Sequence, residues 1–563
     1  MAEASLPRAP VPSPAWASRR VWLAASLIFV LIRAIPNITY PIARDQATYC
    51  VIGQGLLSGQ HLYRDLWDNK PPGIFYLFAV VVRLFDHAMW SVGLIDILWL
   101  LAISYCIFRF AERYLGPAGA GIAVVVNASW HVWAGYWEAA QTETFLMLFV
   151  FVAYLLVSDS TRAVFLRHFA AGVALGAAFW LKYNALAFLP LIALLPCLDF
   201  KGIDERPRRI TLSISRREWL IRAAVVIGGL AFTVVAVLGY FRFAGAWEAL
   251  KEVQFVVLPR YSAMALERTP HYALWATLLT EYTLGRATEI AALVALVLAW
   301  RSRDLARFGP VFLAAGLGYL CTASQIRFHA YAFETSFPFF AMIWGYLVVE
   351  LYEGFRALAR RLMARGWQLA RVLVWVLFMS ILAWPVPDQA FNLLAHYRAL
   401  GAWWRNPDVF YAAYAWPNPI SHFPDQMRVI EYLRKNLRPS DEIFVWGSEP
   451  LIYFQTGRRC PARFVSNLAL VSPWSPPRWR GEMVNDLEKS PPAFLVVARD
   501  DAVPYIAYTN FDSEEYLQVF PEFAIFINDH YELAKDLEYF AVYRRDVPDA
   551  AGEGEASRPP QSH

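Results

Sequence analysis

Long runs of apolar residues, separated by short connections, constrain this chain more than any other feature of its sequence. Of the 563 residues, 58% are hydrophobic and 17% are charged. In a typical soluble protein about a quarter of all residues are charged. Runs of about 18 or more residues with almost no charge are typical of membrane-spanning helices. The sequence therefore predicts a polytopic α-helical membrane protein.

About eleven membrane-spanning helices are predicted from these runs. They comprise residues 21–35, 90–110, 117–136, 140–157, 165–181, 184–199, 219–243, 286–300, 308–324, 330–351 and 367–386. The run 74–85 is too short to cross a bilayer. We expect it to form a helix that lies along the membrane surface.

Arginine and lysine residues set the predicted orientation. They cluster in alternate connections, which contain Arg109 and Arg113, Arg162 and Arg167, Lys201 to Arg217, Arg301 to Arg307, and Arg356 to Arg365. Because basic loops stay in the cytoplasm, the N-terminus is predicted to be cytoplasmic. The loop 37–90 and everything after Pro385 then face outward.

Five parts are predicted along the chain. They are a disordered tail (1–18), a transmembrane domain (19–386) whose outward loop is 37–90, an aromatic and proline-rich membrane-surface linker (387–424), an outward α/β domain (425–547) and a second disordered tail (548–563). The α/β assignment follows from strand-like runs that alternate with helical patterns. That domain has no Walker or Rossmann fingerprint.

The outward loops and span ends hold a sparse set of ionisable groups. These are Asp45, Asp65, Asp68, Lys70, Glu138, Glu143, Lys182, Arg327 and His329. Charge at membrane depth is costly and usually functional. A carboxylate there could take the proton from an attacking hydroxyl group, and cations could hold a lipid phosphate and stabilise its charge as it leaves. The set therefore suits transfer of a group from a lipid phosphate.

Eight of these nine residues, all but Glu138, also have an ordinary structural interpretation. Asp45 fits the N-cap of a surface helix, and Asp65 and Asp68 fit solvated turns. Lys70 fits an anchor that extends to the membrane interface. Helix ends or interface positions would account for Glu143, Lys182, Arg327 and His329.

Charge and cysteine content exclude other classes of site. The net charge is +4, and the basic residues lie beside predicted spans, so there is no nucleic-acid signal. The five cysteines show no CxxC or His/Cys spacing and hence no metal or redox motif. Cys50 and Cys460 would lie on the same side of the membrane, which leaves a disulfide between them open.

Five motifs, in order along residues 20–350, resemble a known family. They are RDQATY (44–49), GQHLYRDLWDNKPPG (59–73), AQTETFLMLF (140–149), ALGAAFWLKYNALAFLP (174–190) and RFHAYAFETSFPFF (327–340). The ordered set resembles bacterial GT-C fold glycosyltransferases related to protein O-mannosyltransferases and to lipid A aminoarabinose transferases, that is, glycosyltransferase families 39 and 83.

The resemblance implies a fold, a reaction and a set of roles. Enzymes of this kind take a hexosyl or pentosyl group from a polyprenyl-phosphate donor and pass it, with inversion, to lipid A, another glycan or a protein outside the bacterial inner membrane. Asp45 would be the catalytic base. The donor phosphate would be bound by Lys70, Lys182, Arg327 and His329. The sugar or acceptor site would involve Glu143, Tyr49, Asp65 and Asp68.

One departure from the family pattern concerns metal binding. Many members carry Glu directly after the catalytic Asp, where this chain has Gln46. The sequence therefore identifies no metal ligand set and no certain cofactor, and it leaves a divalent cation open.

Two functions of other classes remain as alternatives. A transporter or flippase for a lipid-linked sugar would place its essential charges near the bilayer midplane, whereas these acids lie in predicted outward loops. A non-catalytic envelope-assembly protein would tolerate Asp45→Asn.

Overall fold

A computed structural model describes most of the chain. The described residues are 18–135, 137–158, 163–195, 198–199, 211–212, 214–268, 271–302, 305–326, 329–383, 386–414 and 422–546. Both predicted disordered tails and Arg327 lie outside this set, apart from Ser18, whose side chain caps the first helix by accepting the N–H of Val21.

The chain divides into two compact units. Unit 1 is Met1–Leu57 with Asn69–Pro407, and unit 2 is Ser58–Asp68 with Asp408–His563. The division passes through the predicted outward loop 37–90, because the segment Ser58–Asp68 belongs to unit 2.

The first half of unit 1 is helical. Its helices are α1 (Arg19–Ala34), α2 (Arg44–Leu57), α3 (Gly73–Phe85), α4 (Ser91–Ala134), α5 (Thr142–Ser158), α6 (Val164–Leu181) and α7 (Leu189–Leu194), with 3₁₀ turns at Ile35–Thr39 and Tyr183–Phe188. Two short strands, β1 (Leu198–Asp199) and β2 (Thr211–Leu212), pair antiparallel. The predicted surface helix 74–85 corresponds to α3, and the predicted span 184–199 begins as a 3₁₀ turn.

The rest of unit 1 is also helical. It contains α8 (Arg216–Phe243), α9 (Trp247–Lys251), a π-helical segment (Glu252–Val257), α10 (Leu258–Glu267), α11 (Tyr272–Leu284), α12 (Arg286–Arg301), α13 (Leu305–Ala323), a 3₁₀ segment (Ala330–Thr335), α14 (Phe337–Ala364), α15 (Gln368–Ala383) and α16 (Val386–Arg405). Helix α17 (Pro407–Ala412) begins at the last residue of unit 1.

Helix α4 is interrupted within its 44 residues. Gly116 has φ 72° and ψ 175°, outside the helical region, and Pro117 follows it. At 1.5 Å per residue an unbroken helix of this length would measure about 66 Å, roughly twice the hydrocarbon core of a bilayer. The interruption falls between the two predicted spans 90–110 and 117–136.

Several helices have the length and composition of membrane spans. Among the described residues four qualify: Arg19–Thr39, Ser91–Ala134, Val164–Leu181 and Arg216–Phe243. A fifth is reached if the bent pair Thr277–Leu284 and Arg286–Arg301 is one span, and shorter apolar helices include Thr142–Ser158 and Phe308–Ala323. The structure is thus that of a helical membrane protein, and the number of eleven spans stays a prediction.

Glycines allow the helices around the candidate site to approach closely. A Cβ atom on Gly73, at the start of α3, would lie 2.7 Å from the carbonyl oxygen of Trp180 near the end of α6. On the same helix, a Cβ atom on Gly172 would lie 2.0 Å from the carbonyl oxygen of Val226 in α8. The loops that carry Lys70 and Lys182 therefore adjoin helix ends that are in direct contact.

Unit 2 contains a four-stranded sheet with helices. The strands are β3 (Ile443–Trp446), β4 (Phe494–Ala498), β5 (Tyr531–Asp536) and β6 (Phe540–Arg545), in the order β3-β4-β6-β5. Strand β3 is parallel to β4, and β6 is antiparallel to both of its neighbours. The helices are α18 (Phe423–Asn436), α19 (Leu451–Thr456), α20 (Leu468–Val471), α21 (Arg478–Lys489), α22 (Pro504–Ala507), α23 (Ser513–Tyr516) and α24 (Pro521–His530).

The segment Ser58–Asp68 is integrated into the core of unit 2. The side chain of Trp67 is buried and stacks on Trp474, with ring centroids 6.2 Å apart. The backbone N–H of Trp67 donates to the carbonyl oxygen of Arg463 at 2.8 Å. The guanidinium of Arg463 donates in return to the carbonyl oxygen of Tyr63 at 3.2 Å. These contacts combine ring packing with hydrogen bonds in both directions.

Candidate active site

Asp45 lies in the first turn of α2 with its carboxylate accessible. About a third of the side chain (34%) is exposed, and its Oδ1 lies 3.5 Å from the Nζ of Lys70. The amide of Gln141 donates to its Oδ2 at 3.3 Å. Burial alone would raise the pKa of Asp45, but Lys70, Gln141 and His329 together outweigh it, so the pKa lies below its ordinary value. The group is therefore an ionised, reachable carboxylate at neutral pH.

Gln141 organises this part of the site. Its side-chain oxygen accepts a hydrogen bond from the hydroxyl group of Tyr49 at 3.0 Å, while its Nε2 binds Asp45 and the carbonyl oxygen of Trp137. Tyr49 is fully buried one turn beyond Asp45, and the ammonium of Lys70 lies 5.2 Å from the centre of its ring. Tyr49 thus supports the Asp45–Lys70 pair, and its role in a sugar or acceptor site stays a prediction.

Gln46, where the family pattern has an acid, has a structural task in this chain. Its buried side-chain amide donates to the carbonyl oxygens of Trp137, at 3.3 Å, and of Ala139. A glutamate carboxylate in this position would face two acceptors and could not donate to either. The amide therefore fixes the turn between α4 and α5 to α2.

Glu143 and Lys182 form a second ion pair. Glu143 is fully buried at the start of α5, and its Oε1 is in close contact with the Nζ of Lys182, whose side chain is 24% exposed. The hydroxyl group of Thr142 donates to Glu143 Oε2. Lys182 also donates to the side-chain oxygen of Gln325 at 2.6 Å. The two residues are thus partners in the structure, and the assignments of Lys182 to the phosphate and of Glu143 to the sugar or acceptor site stay predictions.

Tyr331, in the 3₁₀ segment before α14, lies beside this second pair. The Nζ of Lys182 is 5.5 Å from the centre of its ring. The ring of His329 stacks on it, with centroids 5.2 Å apart. The backbone N–H of Tyr331 donates to Glu138 Oε2 at 3.0 Å. Tyr331 thereby joins the residues of the turn between α4 and α5 to the segment that carries His329.

Glu138 supplies an acid close to the candidate base. Burial raises its pKa to about 8; the N–H of Tyr331 opposes that shift, and the carboxylates of Glu334, Asp45 and Glu143 add to it. Glu138 therefore holds its proton at neutral pH, whereas Asp45 does not. This arrangement places a hydrogen-bond donor and a carboxylate acceptor within one site.

Asp65 and Asp68 are in unit 2. The carboxylate of Asp65 accepts the backbone N–H of His61 at 2.8 Å and pairs with Arg64 at 2.8 Å, which makes it a turn residue. Asp68 is buried. Their assignment to the sugar or acceptor site stays a prediction, as does the assignment of Arg327 to the phosphate.

Neither a metal-ligand cluster nor a disulfide is found in the part of the chain that the structure describes. No group of three or more His, Cys, Asp or Glu side chains within it could hold a metal ion. Cys50 and Cys460 are both free thiols.

Part of the sequence is similar to a known protein family. A sequence model of the dolichyl-phosphate-mannose-protein mannosyltransferase family matches residues 69–203. No curated protein sequence matches the chain.

Solved structures resemble this chain at low sequence identity. ArnT from Cupriavidus metallidurans, bound to undecaprenyl phosphate, is 14% identical, with a TM-score of 0.52 over 94% of this chain and 98% of that chain. The oligosaccharyltransferase AglB from Archaeoglobus fulgidus, in complex with an inhibitory peptide and a dolichol-phosphate, is 12% identical, with a TM-score of 0.48 over 94% of this chain and 75% of that chain. The family match and the fold shared with ArnT confirm the resemblance to GT-C fold glycosyltransferases that the sequence motifs indicate.

Proposed function

We propose that this protein is an inverting glycosyltransferase of the bacterial inner membrane. It transfers a hexosyl or pentosyl group from a polyprenyl-phosphate donor to lipid A, another glycan or a protein on the outer side of that membrane. The observation that carries this proposal is the accessible Asp45 carboxylate with the Lys70 ammonium 3.5 Å away. One group suits a proton acceptor, and the other suits the phosphate that leaves.

The reaction requires one bond to form and one to break at the anomeric carbon. The oxygen of an acceptor hydroxyl group attacks that carbon from the face opposite the phosphate, and its proton passes to the carboxylate of Asp45. The bond between the anomeric carbon and the phosphate oxygen breaks, and polyprenyl phosphate leaves with the electron pair. Attack from the opposite face inverts the configuration of the sugar.

Lys70 is suited to both states of this reaction. Before the donor binds, its ammonium pairs with Asp45, at a distance that leaves the pair loose. A lipid phosphate would compete for that ammonium, and Lys70 could then stabilise the negative charge that the leaving phosphate gains. Withdrawal of Lys70 from Asp45 would also raise the pKa of the carboxyl group, which makes it a stronger base.

Side-chain hydrogen bonds hold the backbone at Lys70. The amide of Gln254, in the π-helical segment, donates to the carbonyl oxygens of Asn69 at 3.3 Å and Lys70 at 3.2 Å. The hydroxyl group of Tyr183 donates to the side-chain oxygen of Gln254 at 2.9 Å. Because these bonds fix the backbone, the Lys70 ammonium could change its partner without a movement of the main chain.

Transfer assays on matched carboxylate variants test the proposal. Membranes from cells that express the parent, Asp45→Asn or Asp86→Asn receive mixed radiolabelled polyprenyl-phosphate sugars, and label is followed into lipid, glycan and protein fractions. We expect Asp45→Asn to lower the transfer rate by about 10²–10⁴-fold, the usual contribution of a general base. Asp86→Asn is the control, because it changes an aspartate of the same loop 37–90 whose side chain is 84% exposed.

The outcomes separate the candidate functions. Loss of transfer in Asp45→Asn, at equal protein level, supports the enzyme, and the labelled fraction identifies the acceptor class. Equal transfer by the parent and Asp45→Asn would exclude Asp45 as the base. If no protein transfers label, translocation of lipid-linked sugar in vesicles tests the transporter alternative.

A further inference from the structure

A buried histidine that the mechanism above does not use lies between two carboxylates in unit 1. His131 is near the end of α4, and its Nε2 is 3.0 Å from Asp96 Oδ2. Its Nδ1 is 2.9 Å from Glu334 Oε1. All three side chains are nearly inaccessible to solvent. Burying three ionisable groups together costs free energy unless each is paired. We therefore expect the cluster to have a structural or functional role.

The second oxygen of each carboxylate holds a different part of the candidate site. Asp96 Oδ1 accepts the backbone N–H of Ala140 at 2.8 Å. Glu334 Oε2 accepts the hydroxyl group of Thr144. His131 therefore connects the turn after α4, the start of α5 and the 3₁₀ segment before α14. Those three elements carry Glu138, Gln141, Glu143 and Tyr331.

The turn that Asp96 holds has an unfavourable backbone conformation. Ala140 has φ 54°, in the left-handed region that an L-residue with a Cβ atom seldom adopts. Its N–H bond to Asp96 fixes that conformation on one side, and the bond from the amide of Gln46 to the neighbouring Ala139 fixes it on the other. Gln141, which contacts Asp45, is the next residue in the chain. A change at the cluster would thus displace a residue that touches the candidate base.

The surroundings of the histidine favour its charged form. Each ring nitrogen lies within 3.0 Å of a carboxylate oxygen, and two ionised carboxylates at these distances stabilise the imidazolium form of His131. One cation then serves two carboxylates. Among the described residues, further ionisable groups that interact electrostatically with this cluster include Tyr40, through Asp96, and Glu138, through Glu334.

We infer that His131 is a positioning residue for the proposed transfer reaction: as a buried cation between Asp96 and Glu334, it holds Gln141, Glu138 and Tyr331 in place around Asp45. This inference rests on the proposed function of Asp45. His131 itself touches neither Asp45 nor Lys70 in any contact described above, so its effect on the reaction is indirect.

Steady-state kinetics of purified variants test the inference. In His131→Gln we expect kcat to fall by about 10²-fold, because small displacements of positioned groups have effects of that size. The KM for the donor should change little, because Lys70 is held by Gln254 and not by this cluster. The matched control is His168→Gln: His168 is also buried in an apolar helix, but its Nδ1 contacts the carbonyl oxygen of Val164 in its own helix and not a carboxylate.

A second variant separates positioning from general loss of folding. Glu334→Gln preserves the size of the side chain and removes one charge of the cluster. If the residues act as one network, the double variant His131→Gln/Glu334→Gln should lose little more kcat than the more severe single variant. A product of the two separate losses, or a loss in His168→Gln as large as in His131→Gln, would overturn the inference.

Spectroscopy supplies a readout that does not depend on transfer. In protein labelled with ¹⁵N in its histidine rings, the resonance absent from His131→Gln should show the imidazolium shift across pH 5–9 (roughly the range in which an ordinary histidine loses its proton). A neutral ring at His131 would overturn the inference. An imidazolium in a parent protein that transfers no sugar would show that the proposed function, and with it the positioning role, is wrong while the cluster exists.

Discussion

The two lysine–carboxylate pairs of unit 1 are built differently. Asp45 and Lys70 are 3.5 Å apart, and 34% and 25% of their side chains are exposed. Glu143 and Lys182 are in close contact, and Glu143 is fully buried. Glu143 accepts further from Thr142, and Lys182 donates further to Gln325. The Asp45–Lys70 pair is thus loose and accessible to solvent. The Glu143–Lys182 pair is tight, and both of its partners make further hydrogen bonds.

This difference indicates which pair can do chemistry. A loose pair near solvent contributes little to stability, and either partner can be taken over by a substrate at small cost. A buried pair with its hydrogen bonds satisfied loses much if either partner is withdrawn. We therefore expect Asp45 and Lys70 to react with and bind the donor, and Glu143 and Lys182 to hold α5, α6 and Gln325 together.

The largest effect is expected at Lys70, and its absence would contradict the contrast between the two pairs. In Lys70→Met we expect kcat/KM for the donor to fall by about 10²–10³-fold, the scale for loss of one group that stabilises developing charge. Because Lys70 lowers the pKa of Asp45, the acid side of the pH–rate profile should move to higher pH. Thermal melting in detergent should stay unchanged. If Lys70→Met lowered the melting temperature while kcat/KM for the donor stayed normal, the roles assigned to the two pairs would be reversed.

A smaller effect, on stability, is expected at Lys182. Breaking a buried ion pair costs about 3–5 kcal/mol, and because Lys182 is 24% exposed we expect Lys182→Met to lower the free energy of unfolding by about 1–3 kcal/mol. The double variant Glu143→Gln/Lys182→Met should recover part of this loss, since no unpaired charge stays buried. Thermal melting of the parent, Lys182→Met and the double variant measures these differences in stability. A single variant as stable as the parent would contradict the assignment.

The smallest effect sharpens the picture of the accessible pair. The pKa of Glu138 is about 8, so this group gains a negative charge as the pH rises through that value. The added charge lies near Asp45 and should repel an anionic donor, so donor kcat/KM in the parent should decline above about pH 8. In Glu138→Gln the decline at alkaline pH should be absent. A profile with the same alkaline decline in both proteins would assign it to another group.

Charged candidates could be found from the sequence because charge is rare in this chain. Asp45 and Lys70 lie 25 residues apart, yet the sequence singles out both as ionisable groups of one predicted outward loop. Their neighbours Gln141 and Tyr331 are neutral and occur among many other polar and aromatic residues. Gln141 is 96 residues from Asp45, and no periodicity relates positions so far apart. Only the packed helices bring them together.

Helices are easier to predict from this sequence than membrane spans. Apolar runs identified the helical segments, because burying an apolar surface requires a satisfied backbone. The number of residues of a helix that lie within the bilayer depends also on where that helix bends. The interruption at Gly116 and the 3₁₀ turn at Tyr183–Phe188 are set by local backbone geometry and by neighbouring helices. Partition of 37–90 between the two units was likewise missed, since the packing of Trp67 on Trp474 depends on residues some four hundred positions away.

The partition at Ser58–Asp68 means that the two units cannot be separated by a single cut. The polypeptide leaves unit 1 after Leu57, returns at Asn69 and leaves again after Pro407. A chain shortened at Pro407 would still carry Trp67, stripped of the rings of Phe464, Trp474 and Trp479 that surround it. Any attempt to isolate the helical part must therefore replace the segment Ser58–Asp68, and unit 2 expressed from residue 408 would lack one of its own core residues.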